Sequence, residues 1–234
     1  MPRLVLWDID GTLVNTGQLG RDAFSDAFRV VVGRAPDRAA EIMVEMAGRT
    51  DHEIALEFLA LHELDGDAHL PAFSVALADA LAAKEGEIRR QGRALPGAQA
   101  ALAALAAAPG VVQSLLTGNI EPNAALKLAA FGLDAYLDFA VGGYGSDDPH
   151  RPNLVAVARR KARAKYGIEF GPDSTVLVGD TPLDVAAGRQ GGARVVAVAT
   201  GPFGGDELRA AGADTVLPGL EDTAAVLAAV LAGD

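Results

Sequence analysis

The sequence contains no cysteine in 234 residues. That excludes a disulfide frame, a thiolate metal site and a thiol nucleophile, and it agrees with a reducing compartment. Aromatic residues are scarce at 5%, so Ala, Leu and Val must supply most of the packing. Positive charge is also short: 20 Lys and Arg against 31 Asp and Glu leave a net charge of −11. So acidic a chain is poorly suited to gripping nucleic acid by phosphate neutralisation, and no nucleic-acid partner is expected. Long apolar runs are missing too, because charges, Gly or Pro break every Ala-rich stretch before the roughly 20 residues a membrane span needs. The apolar run from Leu4 to Trp7 is far shorter than a signal-peptide core. A cytoplasmic protein without a membrane partner is the expectation.

What is there is a globular composition, 50% hydrophobic and 22% charged. Short Val/Leu-rich runs recur at Leu4 to Trp7, Val111 to Leu116, Phe139 to Val141, Thr175 to Val178 and Val195 to Val198, with a shorter one at Thr215 to Leu217. Helical periodicity fills the gaps, as at Ala98 to Ala108 and Leu154 to Lys165. Strands alternating with helices predict an α/β fold with a doubly wound parallel sheet. The alternation fails from about Asn15 to Arg93, where helical patterns repeat (Asp22 to Val32, Arg38 to Met46, Asp51 to Leu61, Ala72 to Arg89) without a convincing strand. The expected organisation is a core of residues 1–14 and 95–234 with a helical insertion at 15–94. The Gly-rich stretch Gly142 to Gly145 lacks the spacing of a dinucleotide fingerprint and reads as a flexible loop.

In open α/β sheets ligands gather outside the carboxyl ends of the strands. There the sequence places Asp8-Ile9-Asp10-Gly11-Thr12, then Thr117-Gly118-Asn119, then Gly179-Asp180-Thr181-Pro182-Leu183-Asp184. One Asp after a strand is ordinary turn or cap chemistry. Four are not, since like charges about 4 Å apart repel by roughly 4 kcal/mol at an effective dielectric of 20. Oxygen ligands with no His or Cys nearby suit a hard cation that also bridges to a phosphate, which points to Mg²⁺. A basic partner is needed as well. Arg151, after the third apolar run, is the first candidate, and Lys161 the second.

The ordered set Asp8-Ile9-Asp10-Gly11-Thr12, Thr117, Arg151 and Gly179-Asp180 to Asp184 resembles the haloacid dehalogenase superfamily, and the insertion resembles that superfamily's α-helical cap. The likeness covers nearly the whole chain and is nearest to phosphoglycolate-phosphatase-like and β-phosphoglucomutase-like members. It implies a Rossmann-like core and a Mg²⁺-dependent phosphatase acting on a small-molecule phosphate ester. Asp8 would be the nucleophile that becomes an aspartyl phosphate, and Asp10 the acid and then the base. Asp8, Asp180 and the backbone carbonyl of Asp10 would hold the metal, with Asp184 ligating through water or orienting the loop. Thr117, Gly118 and Asn119 would bind the phosphoryl oxygens, Gly11 would allow close backbone approach, and Arg151 would offset charge. Most relatives carry Lys where this chain has Arg151, whose planar guanidinium can bind two oxygens at once.

An acid at position 10 favours phosphate esters over carbon–halogen bonds within that resemblance. Phosphatases and sugar-phosphate mutases both have it. Mutase-like caps usually bring a His soon after the first motif; Gly20 and Arg21 stand there instead, which leans towards hydrolysis. The stretch Met46 to Asp51 resembles the cap loop that selects substrate, with Arg49 as a candidate for a substrate carboxylate or second phosphate. Locally the same residues read as a helix start, with Thr50 as cap and Glu53 completing a capping box. A phosphotransferase and a noncatalytic phosphate-sensing domain are the alternatives, and a monomer or homodimer is expected.

Overall fold

The computed structural model describes residues 2–233, apart from the side chain of Ala40. The first apolar run forms β1 (Arg3–Trp7), and all five of its residues are buried. Alternate side chains serve different layers: Val5 and Trp7 join one apolar cluster, Leu4 and Leu6 another. Such a strand needs helices on both faces, and the chain supplies them.

After β1 the two-residue strand β2 (Val14–Asn15) leads into α1 (Leu19–Val32), α2 (Arg38–Met43), α3 (Asp51–Ala60), α4 (Gly66–Ala83) and α5 (Glu85–Gln91). The chain returns through β3 (Arg93–Ala94), which pairs antiparallel with β2. Then follow α6 (Ala98–Ala106), β4 (Val111–Thr117), α7 (Glu121–Ala129), β5 (Gly143–Tyr144), α8 (Asn153–Tyr166), β6 (Thr175–Gly179), α9 (Pro182–Gly191), β7 (Arg194–Val198), α10 (Gly205–Ala211), β8 (Thr215–Leu217) and α11 (Thr223–Leu231).

The main sheet has the order β5-β4-β1-β6-β7-β8, with every pairing parallel. Helices α6 and α11 cover the face carrying Trp7, and α8 covers the face carrying Leu6. The chain leaves β1 towards β4 and later returns to its other side at β6. The strand order therefore reverses at β1, where the sheet opens a crevice beyond its carboxyl ends.

The helices between β2 and β3 bury their own apolar stripe. In α1 the spacing of Leu19, Ala23, Phe24, Ala27 and Phe28 puts one face inward. Phe28 meets Phe58 edge-on at 5.3 Å between ring centres, and Phe73 and Leu77 of α4 complete the cluster.

Three expectations are corrected. Phe139 to Val141 is not a strand but a 3₁₀ turn, whose amide at Ala140 is capped by the Asp138 carboxylate (3.2 Å). The edge strand is β5, inside the Gly-rich stretch read as a flexible loop. Its two residues are buried, and the Tyr144 hydroxyl is tied to the Phe139 carbonyl (2.7 Å). The pattern from Ala72 to Arg89 is two helices, broken at Lys84. The β2–β3 ribbon was also absent from the sequence reading, since two residues are too few to show a period.

Leu102 sits fully buried between α6 and the sheet. Leu102→Ala is expected to lower unfolding stability by about 2–5 kcal/mol. In urea titration the midpoint should fall with an unchanged slope; a change under about 0.5 kcal/mol would contradict this packing.

Candidate active site

Asp8 follows β1 directly, and its amide donates to the Val178 carbonyl of β6 (2.9 Å), fixing the carboxylate at the crevice floor. Asp180 follows β6. It accepts a hydrogen bond from the Thr12 hydroxyl (2.8 Å). Asp184 lies in the first turn of α9, where its Oδ2 takes the amides of Asp180 (3.2 Å) and Thr181 (3.0 Å) and the Thr181 hydroxyl (2.7 Å). That is a capping box, and it sets the shape of the loop after β6. Oxygens of Asp8, Asp180 and Asp184 all lie within 4.8 Å of one another, and all three residues are buried.

One guanidinium serves this group. Arg151 Nη2 donates to Asp8 Oδ1 (2.7 Å) and also to Asp184 Oδ1, so the sequence's first candidate is the basic partner. Lys161 is turned to Asp147 (2.7 Å) and the Gly142 carbonyl (2.9 Å) instead. A single positive charge does not balance three buried carboxylates. Burial, assisted by Asp184 and Asp10 and opposed by Arg151, pushes Asp8 up to about 7. Burial, with Asp184 and Asp8, pushes Asp180 up to about 8. An all-oxygen, buried donor set with this excess negative charge fits a hard divalent cation.

Asp10 points elsewhere. Its Oδ2 accepts from Asn119 Nδ2 (2.8 Å) and from Lys127 Nζ (2.6 Å), while its side chain stays 45% exposed. Asn119 Nδ2 also donates to the Thr117 hydroxyl (2.8 Å), and Asn119 Oδ1 accepts from Lys127 (2.7 Å). Thr117, Gly118 and Asn119 form the turn between β4 and α7. Lys127 escaped the sequence reading because it lies inside an ordinary helix, ten residues beyond Thr117. Its one signal is a lone Lys in an apolar stretch, and the structure buries it to 5% exposure.

Gly11 has φ +84°, and a Cβ there would stand 2.3 Å from Asp180 Oδ2, so glycine is required for the first turn to lie against the carboxylate. Residues 46–51 from the helical segment close over this floor. Arg151 Nη1 donates to the Gly48 carbonyl (2.8 Å), the Thr50 hydroxyl to the Pro149 carbonyl (3.1 Å), and the Asp51 amide to the Gly118 carbonyl (2.8 Å). Asp51 in return accepts the Ile120 amide (2.8 Å). Burial raises Asp51 to about 6 although Lys127 opposes the shift.

Thr50 and Glu53 do form the capping box. Arg49 is held by Glu57 and the carbonyls of Glu45 (3.1 Å) and Glu53 (3.5 Å) while lining the cavity. His150 is exposed. Between floor and helices lies a cavity of about 780 Å³, bordered by Asp8, Asp10, Thr117, Lys127, Arg151 and Asp180. That volume is ample for a small organic ligand.

Such an arrangement, acidic side chains converging with one guanidinium at the carboxyl ends of a parallel sheet and covered by inserted helices, defines an enzyme of the α/β hydrolytic or group-transfer type. The model of the haloacid dehalogenase-like hydrolases matches residues 2–192, and the chain belongs to that family. It is 30% identical over 203 residues to a phosphoglycolate phosphatase of Rhodospirillum rubrum, covering 86% of this chain and 81% of that one. Against phosphoglycolate phosphatase 1 of Pseudomonas aeruginosa the identity is 28% over 234 residues, with 95% and 78% covered. The fold matches CbbY from Rhodobacter sphaeroides, solved in complex with phosphate, at a TM-score of 0.69 and 22% identity, over 95% of this chain and 96% of that one. No helix among the described residues is long and apolar enough to cross a membrane.

The raised carboxyls give a pH signature. Both folded-state values lie above the ordinary 3.8, so the stability tied to their protonation is complete below about pH 4 and lost as pH rises through about 7 to 8. A bound divalent cation would replace the missing proton. The rise in melting temperature on adding a divalent cation to chelator-treated protein should therefore be small near pH 5 and grow towards pH 8. A rise independent of pH, or none at pH 8, would contradict a cation site here.

Proposed function

We propose that the protein is a Mg²⁺-dependent phosphatase that hydrolyses a small-molecule phosphate monoester through an aspartyl phosphate on Asp8. The observation that carries this reading is the setting of the Asp8 carboxylate: buried, bonded to Arg151, beside Asp180 and Asp184, with a second carboxylate two residues on in a different environment. The names of the curated relatives support a phosphate ester, and phosphoglycolate is the first candidate, with a sugar phosphate next.

In this scheme Asp8 attacks phosphorus, forming an Asp8–O–P bond as the ester P–O bond breaks, and Asp10 gives its proton to the departing alcohol oxygen. Water then attacks the aspartyl phosphate while Asp10 takes one of its protons, releasing inorganic phosphate and restoring the Asp8 carboxylate. Asp8, Asp180 and the Asp10 carbonyl would hold Mg²⁺, with Asp184 shaping their loop. The ion supplies charge neutralisation for the carboxylates and the phosphoryl oxygens. Arg151 steadies the same charge. Its Nε is buried with no hydrogen-bond partner.

Thr117 and the amides of Gly118 and Asn119 cradle the transferred group, and Gly11 keeps the first turn close. The helical segment at 15–94 acts as a cap that keeps bulk water from the aspartyl phosphate. Because Arg49 is engaged by Glu57, its contribution to substrate choice is through the backbone of the loop it stiffens. We propose that it acts in the cytoplasm, as a monomer or homodimer.

Mixing the protein with Mg²⁺ and an aryl phosphate should release inorganic phosphate rapidly. Asp8→Asn should lower turnover by about 10⁴-fold or more while leaving the circular dichroism spectrum unchanged. Full activity in Asp8→Asn would reject the assignment, and isomerised sugar phosphate with little release would favour a mutase.

A further inference from the structure

Lys127 is a buried cation that the scheme above does not use. Its ammonium touches two groups, Asp10 Oδ2 at 2.6 Å and Asn119 Oδ1 at 2.7 Å. An ammonium taken out of water is costly unless paired, so this contact is well defined rather than a passing surface pair. Asn119 closes the ring by donating Nδ2 to the same Asp10 oxygen (2.8 Å) and to Thr117 Oγ1 (2.8 Å). Asp10 Oδ2 thus accepts from two donors. A proton carried by this carboxyl must then sit on Oδ1, on a side chain still 45% exposed to the cavity.

We infer that Lys127 is a positioning residue for proton transfer: by clamping one oxygen of Asp10 against Asn119 it dedicates the other to the ester's leaving oxygen. This rests on the phosphatase reading and adds a role to it. When the ester P–O bond breaks, the proton passes from Asp10 Oδ1 to the departing alkoxide, and the same oxygen later takes a proton from the attacking water. Lys127 neither gains nor loses a proton in either step. Arg151 and Lys127 divide the work: one cation is bonded to the nucleophile, the other to the acid and base, and their partners on the floor do not overlap. The carboxylates facing Lys127 are Asp10, from the first turn, and Asp51, from the helical segment.

The test uses the leaving group, in the full chain with Mg²⁺. An alkyl phosphate needs its leaving oxygen protonated, whereas 2,4-dinitrophenyl phosphate does not, and kcat/KM reports only the steps up to loss of the alcohol. Lys127→Met should lower kcat/KM by about 10²-fold or more for the alkyl ester and by less than about tenfold for the dinitrophenyl ester. Lys127→Arg should recover part of the alkyl-ester loss. If the Met variant does not fold, the Arg variant carries the test, with a larger loss for the alkyl ester. Equal losses for both esters, or no loss, would overturn the role of Lys127, and so would a change confined to KM. A wild-type protein that hydrolyses neither ester would instead remove the phosphatase reading itself.

Discussion

Three carboxylates that share one guanidinium below the surface are the constraint from which the rest follows. Asp8, Asp180 and Asp184 come within 4.8 Å of one another because the parallel strands β1 and β6 end side by side and α9 begins one step later. Burial, reinforced by their mutual repulsion, raises Asp8 and Asp180 well above an ordinary carboxylate. Stability alone does not account for the cluster, since replacing buried ionic groups with apolar ones of similar volume is often neutral or stabilising. It makes sense as a seat for positive charge: partly that of Arg151, and the remainder from a hard cation and its anionic ligand.

The same guanidinium joins the floor to the helices above it. While Nη2 holds Asp8, Nη1 holds the Gly48 carbonyl, so Asp8 and the covering loop share one side chain. A lysine ammonium is a point charge on a flexible stem and lacks the fixed fork that makes both contacts at once. Around this joint the chains approach closely: a Cβ on Gly118 would lie 2.0 Å from the Arg49 carbonyl oxygen. Asp51 adds a reciprocal pair of bonds across the same seam. The loop is therefore docked by its backbone, and its lone cationic side chain, Arg49, is turned to stiffening it.

Much of this was legible in the sequence, for physical reasons. Strands buried on both faces must be continuous apolar runs, so β1, β4, β6 and β7 stood out, and the residues just after them had to be the crevice. Asp8, Asp180, Asp184 and Arg151 meet there. What escaped has equally physical causes. β5 is a two-residue edge strand of Gly and Tyr, with no run to detect, while Phe139 to Val141 is apolar yet forms a 3₁₀ turn whose Ala140 amide is capped by the Asp138 carboxylate. Lys127 was hidden because a helix brings it back towards the strand end it left, a relation set by tertiary packing and not by any short motif.

The central claim is that the carboxylate at position 8 takes up the phosphoryl group. Mixing the enzyme with Mg²⁺ and a phosphate ester, quenching in acid within the first turnovers and mapping the modified peptide by mass spectrometry tests it directly. The account predicts one added phosphoryl group on Asp8, absent from Asp8→Asn protein. A phosphoryl group on any other residue, or hydrolysis with no modified peptide under conditions that preserve acyl phosphates, would contradict it.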